Sequence, residues 1–394
     1  MVYATHLKRT IDEYKIKCGA KMQLNPLWPV TYRFPKLEKD ITVDVAIAGG
    51  GIAGISSAYH LTKAGYKVAL LEKDEIGSAA TGASSGVLFY GTGTDYIPAI
   101  KLFGKDKATM MWKETAGAIE DIVATVHKYN IDCGLRRCGS IMVAKTNEEL
   151  ETLSSENEAL GSVGIDTKIV TNDQIKEYFT PSQFLGGLSY DACSQIHPAQ
   201  FASALAKESD INVYEHSKVT NWIEENDKVV LQTDNAKVTC SKLIFATNLQ
   251  PYFDLKEHFD QESSVILASQ PLEDIAKIWP QEKIIWTMDE NYDLIYLRGD
   301  RAILELYRLP GNKQKLAYYY PNVDFKADKT WGDSWAKPKD WLPIVGRISN
   351  NIALSIGMGD QGIIMGWLSG RHMSGVIEGK SDWFLDMTSH NRFH

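Results

Sequence analysis

Residues 43–54 read VDVAIAGGGIAG, and this stretch decides the fold that we expect. Its first half is a short, nearly continuous apolar run, which is typical of a strand buried on both faces of a parallel sheet. Glycines follow at once, and residues 52–64 carry apolar side chains at helical spacing until Gly65 ends the helix. Residues 66–71 predict a second buried strand. Together these elements form a β-α-β unit of about the thirty residues that such a unit needs.

Each glycine of the pattern Gly49-x-Gly51-x-x-Gly54 has its own physical role. Gly49 permits the tight turn, Gly51 lets the backbone approach a pyrophosphate, and Gly54 lets the helix pack against the strand. The first helical residues, Ile52 and Ala53, belong to a helix N-terminus that offers N–H groups and a partial positive charge to phosphates. The stretch therefore predicts a dinucleotide site at the end of the first strand.

Glu72, followed by Lys73, stands at the end of the second predicted strand. A carboxylate at this position accepts hydrogen bonds from the ribose hydroxyls and repels a 2′-phosphate, so NADP is disfavoured. The pattern does not by itself separate NAD from FAD.

The composition excludes several function classes. The chain has 394 residues, enough for two domains, and a formal net charge of −8, which argues against a general nucleic-acid binder. Its five cysteines are widely spaced and form no Cys/His zinc pattern, so we expect no metal site and reduced thiols in a cytoplasmic protein. No apolar run reaches the length of a membrane span, so we expect no integral membrane segment.

Further stretches carry a family resemblance. Residues 77–87 read GSAATGASSGV, residues 246–248 read ATN, and residues 357–362 read GMGDQG after a predicted apolar strand. In this order they resemble the glycine-rich loop, the Ala-Thr-Gly/Asn strand end and the closing motif of the D-amino-acid oxidase superfamily, which includes glycine oxidase and sarcosine oxidase. Residues 25–28, which read NPLW, resemble its γ-glutamylputrescine-oxidase-like branch.

The resemblance implies FAD as the cofactor. In the family the glycine-rich loop wraps the pyrophosphate, and the closing turn lies at the pyrimidine end of the flavin. The backbone of a further strand touches the adenine, and the corresponding position in this chain is near Val219. No cysteine or histidine occupies the motif positions at which some members attach flavin, so we expect noncovalent FAD. The residues expected to bind it are Gly49, Gly51, Ile52, Ala53, Gly54, Glu72, Lys73, Thr81, Ser84, Ser85, Gly86, Val87, Val219, Ala246, Thr247, Asn248, Gly357, Gly359, Asp360, Gln361, Gly362 and Ile363.

The resemblance also implies an α/β fold, in which a Rossmann-like FAD-binding domain is interleaved with a β-rich substrate domain of the α+β type. The basic start of the chain is interpreted as an extension that wraps the first domain, with contact to a membrane or a partner left open, as is the oligomeric state. The expected limits are 1–39 for this N-terminal extension, 40–137, 190–262 and 325–394 for the FAD-binding domain, and 138–189 and 263–324 for the substrate domain.

Residues 292–298, which read YDLIYLR, resemble the family's aromatic-rich strand that ends in Tyr-x-Arg. The resemblance implies that Arg298 pairs with a substrate carboxylate, a task that suits the fork of a guanidinium, with Tyr296 beside it. An arginine on a strand is as often a surface residue, and Arg301 and Arg308 are alternatives.

Two departures from the family pattern bear on the substrate and on the electron acceptor. Glu305 lies on a strand that carries glycines in the family, and its carboxylate could meet a cationic amine instead. The sarcosine-oxidase branch has a lysine where this chain has Ile364, which leaves open whether O2 or another acceptor takes the electrons. Trp335 could wall the substrate pocket or belong to the core.

The preferred hypothesis is an FAD-dependent oxidoreductase that acts on a small amine or amino acid. It would move a hydride from the substrate α-carbon to flavin N5 and leave an imine that hydrolyses. Two alternatives remain: an NAD-dependent dehydrogenase with the same first glycine pattern, and a non-catalytic flavin-binding subunit.

Overall fold

A computed structural model describes Leu27 and residues 32–178, 183–248, 255–288, 292–307, 326–332 and 334–393. Most of the predicted N-terminal extension lies outside these ranges, as do Arg308 and all of the NPLW leader except Leu27.

In the described residues the strands are β1 (Ile41–Ala48), β2 (Val68–Leu71), β3 (Val87–Leu88), β4 (Ser140–Ala144), β5 (Lys168–Thr171), β6 (Gly186–Tyr190), β7 (Ser194–Gln195), β8 (Asn212–Tyr214), β9 (Asn221–Glu225), β10 (Lys228–Gln232), β11 (Lys237–Phe245), β12 (Phe259–Ser269), β13 (Ile284–Thr287), β14 (Leu294–Arg298), β15 (Arg301–Tyr307), β16 (Ala327–Trp331), β17 (Ser334–Pro338), β18 (Ile344–Arg347) and β19 (Ile352–Ile356). The α-helices are α1 (Ile52–Lys63), α2 (Ala80–Ala83), α3 (Tyr96–Phe103), α4 (Lys105–Lys128), α5 (Asn147–Gly161), α6 (Asn172–Tyr178), α7 (Pro198–Glu208), α8 (Ile275–Ile278), α9 (Gly362–Glu378) and α10 (Trp383–Thr388), with 3-10 turns at Lys256–His258 and His390–Phe393.

The first sheet has the strand order β18-β19-β11-β1-β2-β8, and the β9–β10 hairpin continues antiparallel from β11. The strands from β19 to β8 are parallel, whereas β18 is antiparallel to β19. The middle of β1 is buried on both faces: Val45 and Ile47 enter one apolar cluster, and Ala46 and Ala48 enter another. This arrangement explains the nearly continuous apolar run of the sequence, since both faces of a central parallel strand are covered.

Helices cover one face of the first sheet. Along the contact between α1 and α9, the hydroxyl of Ser56 donates a hydrogen bond of 2.8 Å to the backbone carbonyl of Trp367. A side chain at Gly370 would collide with the backbone of Ser56, so the two helices approach more closely than a larger residue would allow.

The second sheet has the order β16-β12-β15-β14-β13-β4-β6-β5, with β17 also paired to β12. All of its pairs are antiparallel except β13 with β4. Its side chains alternate between two cores: Leu304 packs into a cluster on the outer face, whereas Ile303 and Tyr296 join the larger cluster that includes the helices of the first sheet. The second sheet therefore turns one face towards the first.

The strands of the second sheet do not follow the predicted domain limits in detail. β12 begins at Phe259, and both β16 and β17 pair with it, although residues 259–262 and 327–338 fall within ranges predicted for the FAD-binding domain. The domain limits stay a prediction, because a pairing pattern is not a measurement of independent folding units.

One helical prediction was wrong. The apolar spacing of residues 99–129 predicts a single helix, but the structure has α3 and α4, separated at Gly104. Gly104 has a φ of 83°, a left-handed conformation that ends a helix and that glycine adopts without strain. None of the helices in the described part of the chain is long and apolar enough to cross a membrane.

Candidate functional site

A cavity of about 460 Å³ lies between the carboxyl ends of the parallel strands and the inner face of the second sheet. Its lining combines the turn after β1, the end of β2, the glycine/serine loop, and the turn between β19 and α9. Ser264 on β12 and Glu305 on β15 complete the wall from the second sheet. Ligands of open α/β sheets bind in this position, outside the carboxyl ends of the strands.

Most residues predicted to bind FAD line this cavity. Gly54, Gly86 and Gln361 do not: Gly54 lies within α1, Gly86 ends the glycine/serine loop, and Gln361 precedes α9. The predicted residues that line the cavity are Gly49, Gly51, Ile52, Ala53, Glu72, Lys73, Thr81, Ser84, Ser85, Val87, Val219, Ala246, Thr247, Asn248, Gly357, Gly359, Asp360, Gly362 and Ile363.

The turn between β1 and α1 requires its glycines for two reasons. Gly49 has a φ of 112°, and a Cβ there would collide with the backbone carbonyl of Ala246 on the neighbouring strand. A Cβ at Gly54 would collide with the carbonyl oxygen of Gly49, so only glycine lets α1 start so close to β1. The helix N-terminus is thereby brought to the cavity wall, where its partial positive charge favours an anion.

Glu72 is held at the end of β2 by two backbone donors. Its Oε2 atom accepts from the Gly50 N–H at 2.6 Å, and its Oε1 atom accepts from the Asp74 N–H at 2.9 Å. Burial raises the pKa of this carboxyl, and the two hydrogen bonds oppose the shift. Its fixed oxygens lie in the cavity wall beside the Gly49–Gly51 turn, as a ribose-binding carboxylate requires.

The glycine/serine loop is fastened to the first helix and to the second sheet. Thr81 Oγ1 accepts a hydrogen bond of 3.0 Å from the backbone N–H of Ile52. The phenol of Tyr296 donates to the backbone carbonyl of Ser85 at 2.6 Å. The loop therefore follows the cavity from the N-terminus of α1 to the inner face of the second sheet.

The closing turn before α9 is fixed by β17. The Gly359 N–H donates to the carbonyl of Ala336 at 3.2 Å, and the indole N–H of Trp335 donates to Asp360 Oδ1 at 2.7 Å. Asn248 Oδ1 accepts a hydrogen bond of 3.3 Å from the Ala336 N–H, which adds the end of β11 to the same junction. The start of α9 at Gly362 is thus placed at the cavity wall.

These residues fit an extended dinucleotide. The cavity joins a fixed carboxylate near Glu72 to the N-termini of two helices, α1 and α9, and Val219 lines it where an adenine contact is expected. The hydroxyl of Thr247 is buried at the wall and has no hydrogen-bond partner among the described residues, so a ligand could satisfy it. An NAD molecule would not need the second helix N-terminus or the glycine/serine loop.

The two residues predicted to contact substrate do not line the cavity. Tyr296 is fully buried beneath it, where burial raises the pKa of its phenol well above the ordinary value. The Arg298 guanidinium donates to the carbonyl of Cys133 at 3.3 Å, and burial lowers its pKa. Their roles in binding substrate stay predictions. Of the alternatives, Arg301 forms an ion pair of 2.6 Å with Asp328.

Sequence analysis missed several cavity residues because distant parts of the chain supply them. Lys218 lies beside Glu72, since the Ser217 N–H donates to the Glu72 carbonyl at 2.8 Å, and no local motif marks it. Ser264 reaches the wall through the pairing of β12 with β15. Trp335, left open between pocket wall and core, lines the cavity.

His197 is a structural cap, as its place before Pro198 predicts. Its Nδ1 atom accepts a hydrogen bond of 3.2 Å from the Gln200 N–H in the first turn of α7. Burial, together with the nearby Arg298 charge, lowers the pKa of His197 to about 4, so the ring stays neutral at physiological pH.

Comparisons with known proteins identify relatives of this chain. The sequence model of the family described as DAO, FAD dependent oxidoreductase, matches residues 44–375. Gamma-glutamylputrescine oxidoreductase of Escherichia coli (strain K12) is 28% identical over 376 residues, which cover 89% of this chain and 87% of that protein.

Solved structures show the same fold. Glycine oxidase from Geobacillus kaustophilus superposes with a TM-score of 0.71 at 19% identity, over 88% of this chain and 98% of that one. L-proline dehydrogenase from P. horikoshii superposes with a TM-score of 0.71 at 19% identity, over 91% of this chain and 98% of that one. At this level of identity the likeness concerns the fold alone, and it confirms the expected Rossmann-like architecture.

Proposed function

Because the chain belongs to the DAO family of FAD-dependent oxidoreductases, we propose that it oxidises a small amine or amino acid at the carbon bonded to nitrogen. The observation that supports this function most directly is the shared cavity. The elements of the first sheet that are expected to bind the cofactor line the same space as a polar patch of the second sheet, Ser264 with Glu305. A substrate held by the second sheet would therefore lie against a cofactor bound in this cavity.

The cavity residues of the first sheet would hold FAD noncovalently, and the flavin ring would supply a hydride acceptor. The residues of the chain have the tasks of binding, orientation and exclusion of water. The N-terminus of α9, at Gly362 and Ile363, favours negative charge at the end of the cavity near the second sheet. The substrate amine binds without its proton, so no side-chain base is required, and the imine product hydrolyses in water.

For an amino-acid substrate, Arg298 remains the proposed contact for the carboxylate. It lies on the same face of β14 as Tyr296, but its guanidinium is directed to the carbonyl of Cys133. Contact with a substrate therefore requires the side chain to turn away from Cys133. Ile364, buried in α9, would offer no charged group to electron transfer, whether O2 or another molecule is the acceptor.

The gamma-glutamylputrescine oxidoreductase of Escherichia coli, by its name, acts on an amine, and its likeness extends over most of this chain. This relative favours an amine over a hydroxy acid as the substrate class. It does not favour the two alternatives, an NAD-dependent dehydrogenase or a non-catalytic flavin-binding subunit.

The test is the colour of the purified protein. We expect a flavin spectrum, release of free FAD on denaturation, and bleaching by amines or amino acids under anaerobic conditions. Protein without flavin absorbance that binds NAD would support the nicotinamide alternative. Yellow protein that no amine, amino acid or hydroxy acid bleaches would support the non-catalytic subunit. Flavin that stays attached to the denatured protein would contradict noncovalent binding but would leave the proposed reaction unaffected.

A further inference from the structure

We propose that the indole of Trp341 limits the size of the substrate at the end of the cavity that is formed by the second sheet and the closing turn. This inference rests on the proposed function and adds a specificity-determining residue to it. The observation that carries it is a large aromatic side chain, held in a left-handed backbone conformation beside the cavity wall.

The backbone of Trp341 is strained. Its φ is 64°, in the left-handed region that residues with a bulky side chain rarely adopt. Such a conformation persists only where the surrounding contacts impose it, and such conformations are concentrated at functional sites. Glycine would adopt it without strain, so we attribute the presence of tryptophan here to its ring.

The contacts that impose this conformation lie on both sides of the residue. The Trp341 N–H donates to the carbonyl of Pro338 at 3.1 Å, which closes a turn after β17. Arg392 donates to Asp340 through two nitrogens, at 2.6 and 3.2 Å, and to the carbonyl of Leu342 at 2.7 Å. One guanidinium thus holds the residues before and after Trp341, which fixes the direction of the indole.

The ring lies beside the cavity wall, against the glycine at position 93. A Cβ at Gly93 would be 3.3 Å from Cε3 and Cζ3 of Trp341 and 3.3 Å from the Cβ of Asp360. Asp360 lines the cavity, and Trp341 is partly exposed to solvent. The indole therefore lies on the outer side of the wall that Asp360 forms, where a larger substrate would have to extend.

Two neighbours keep the ring in this place. Gly93 has a φ of 99° and no side chain, so the ring packs directly on the backbone of the segment before α3. The ammonium of Lys337 lies over the ring, 4.1 Å from its centroid, at a distance that favours a cation–π contact. Lys337 belongs to β17, the strand that also fixes the closing turn. The indole is therefore part of the junction that places the start of α9 at the cavity.

A fixed indole in this position selects substrates by size. Closely packed side chains yield little to an added group, so overpacking them is unfavourable. An amine with small substituents on the carbon bonded to nitrogen fits in the cavity, whereas a phenyl group in place of one of them meets the ring. A smaller side chain at position 341 should therefore admit larger amines.

The experiment measures the binding of two amines to the purified holoenzyme by calorimetry. tert-Butylamine and 2-phenylpropan-2-amine have no hydrogen on the carbon bonded to nitrogen, so neither can be oxidised there. They differ only by a phenyl group in place of a methyl group. We expect Trp341→Gly to strengthen binding of the phenyl amine, relative to tert-butylamine, at least about tenfold, and Trp341→Phe to do so about threefold.

The matched control is Trp383→Ala, which removes another partly buried indole, at the start of α10 and outside the cavity lining. It should leave the ratio of the two affinities unchanged. Asp340→Ala, which frees the segment from Arg392, should shift the ratio in the same direction as Trp341→Gly but by less. Trp341→Phe keeps a ring and decides the question if Trp341→Gly does not fold. An unchanged ratio in the Trp341 variants, or no measurable binding of either amine to any of the proteins, would overturn the proposal.

A kinetic arm separates size selection from a structural role. Under anaerobic conditions, Trp341→Gly should lower the concentration of benzylamine that gives half the limiting rate of flavin reduction, relative to that of ethylamine. The limiting rates should change less. If Trp341→Gly slows reduction by both amines equally, Trp341 supports the fold or the cofactor alone and the proposal fails. If no amine bleaches the flavin, the proposed function fails, while the calorimetric ratio still decides whether Trp341 limits the size of the ligand.

Discussion

The phenol of Tyr296 donates a hydrogen bond of 2.6 Å to the backbone carbonyl of Ser85, which joins the second sheet to the glycine/serine loop. The donor is shielded from solvent because Tyr296 is fully buried, whereas Ser85 is only partly buried. Burial raises the pKa of Tyr296 well above its ordinary value, so the phenol remains a donor at any physiological pH. The loop that borders the cofactor site is thus positioned by a residue of the other sheet.

Tyr296→Phe should therefore affect both stability and cofactor binding. The Ser85 carbonyl would lose its buried donor, which lowers the free energy of unfolding by about 1–2 kcal/mol and loosens the loop. We expect FAD to bind several-fold more weakly, measured by recovery of flavin fluorescence on dilution. Tyr66→Phe is the control, because its phenol donates to Glu378 at an exposed site and its loss should change stability by less than about 0.5 kcal/mol. Equal FAD affinity in Tyr296→Phe and the parent would contradict the role assigned to this bond.

Gly54→Ala should prevent normal cofactor binding, because its methyl group would collide with the carbonyl of Gly49. The turn must move or α1 must shift, and either change displaces the helix N-terminus from the cavity wall. Gly117→Ala is the matched control, since a Cβ at this position in α4 meets no atom within 4 Å. It should stabilise the protein by about 0.5–1 kcal/mol, as alanine favours a helix interior over glycine. The measurements are thermal unfolding and the amount of flavin bound per chain. A Gly54→Ala variant that binds as much flavin as the parent would contradict this prediction.

The turn after β1 and the carboxylate at the end of β2 could be predicted from the sequence because short-range geometry determines both. The backbone of the Gly49–Gly54 turn and the position of Glu72 at a strand end follow from residues that are neighbours along the chain. The other residues expected to bind the cofactor follow from the family resemblance, and nearly all of them line the same cavity.

The contacts of the residues on the second sheet could not be predicted in the same way. Strand alternation correctly places Arg298 on the inner face with Tyr296, but it does not tell how deep a side chain lies or which group it meets. The contact with Cys133 depends on a loop 165 residues earlier in the chain. Ser264 enters the site through the register of β12 with β15, and register is set by the packing of the whole sheet.

Glu72→Gln should separate cofactor affinity from stability. Burial raises the pKa of the carboxyl, which means that its charge is unfavourable to the folded chain without a ligand. The amide removes this charge but keeps one oxygen for the Gly50 or Asp74 N–H. We expect the free energy of unfolding without FAD to change by less than about 1 kcal/mol, and the Kd for FAD to rise about tenfold, since charge-assisted bonds to the ribose are lost. Unchanged FAD affinity would exclude Glu72 as the ribose contact.

Glu156 gives a prediction about pH. Its carboxylate, 4% exposed on α5, accepts hydrogen bonds from the backbone N–H groups of Tyr96 and of Ile97 (3.0 Å) at the start of α3. Burial raises its pKa to about 7; the bond from Ile97 opposes this shift, and Asp95 adds to it. Because the folded pKa exceeds the ordinary value of about 4.5, the folded state holds this proton more tightly than the unfolded state does.

The free energy of unfolding that this group contributes is therefore fully present below about pH 4.5. It is lost as the pH rises to about 7. Relative to Glu156→Gln, the parent should lose up to about 3 kcal/mol of unfolding free energy between pH 4.5 and pH 8. Urea unfolding of both proteins across this range measures the difference. Glu151→Gln, an exposed change on the same helix, should follow the parent at every pH. A constant difference between the parent and Glu156→Gln would mean that the carboxyl has an ordinary pKa and that its bonds to the first turn of α3 outweigh its burial.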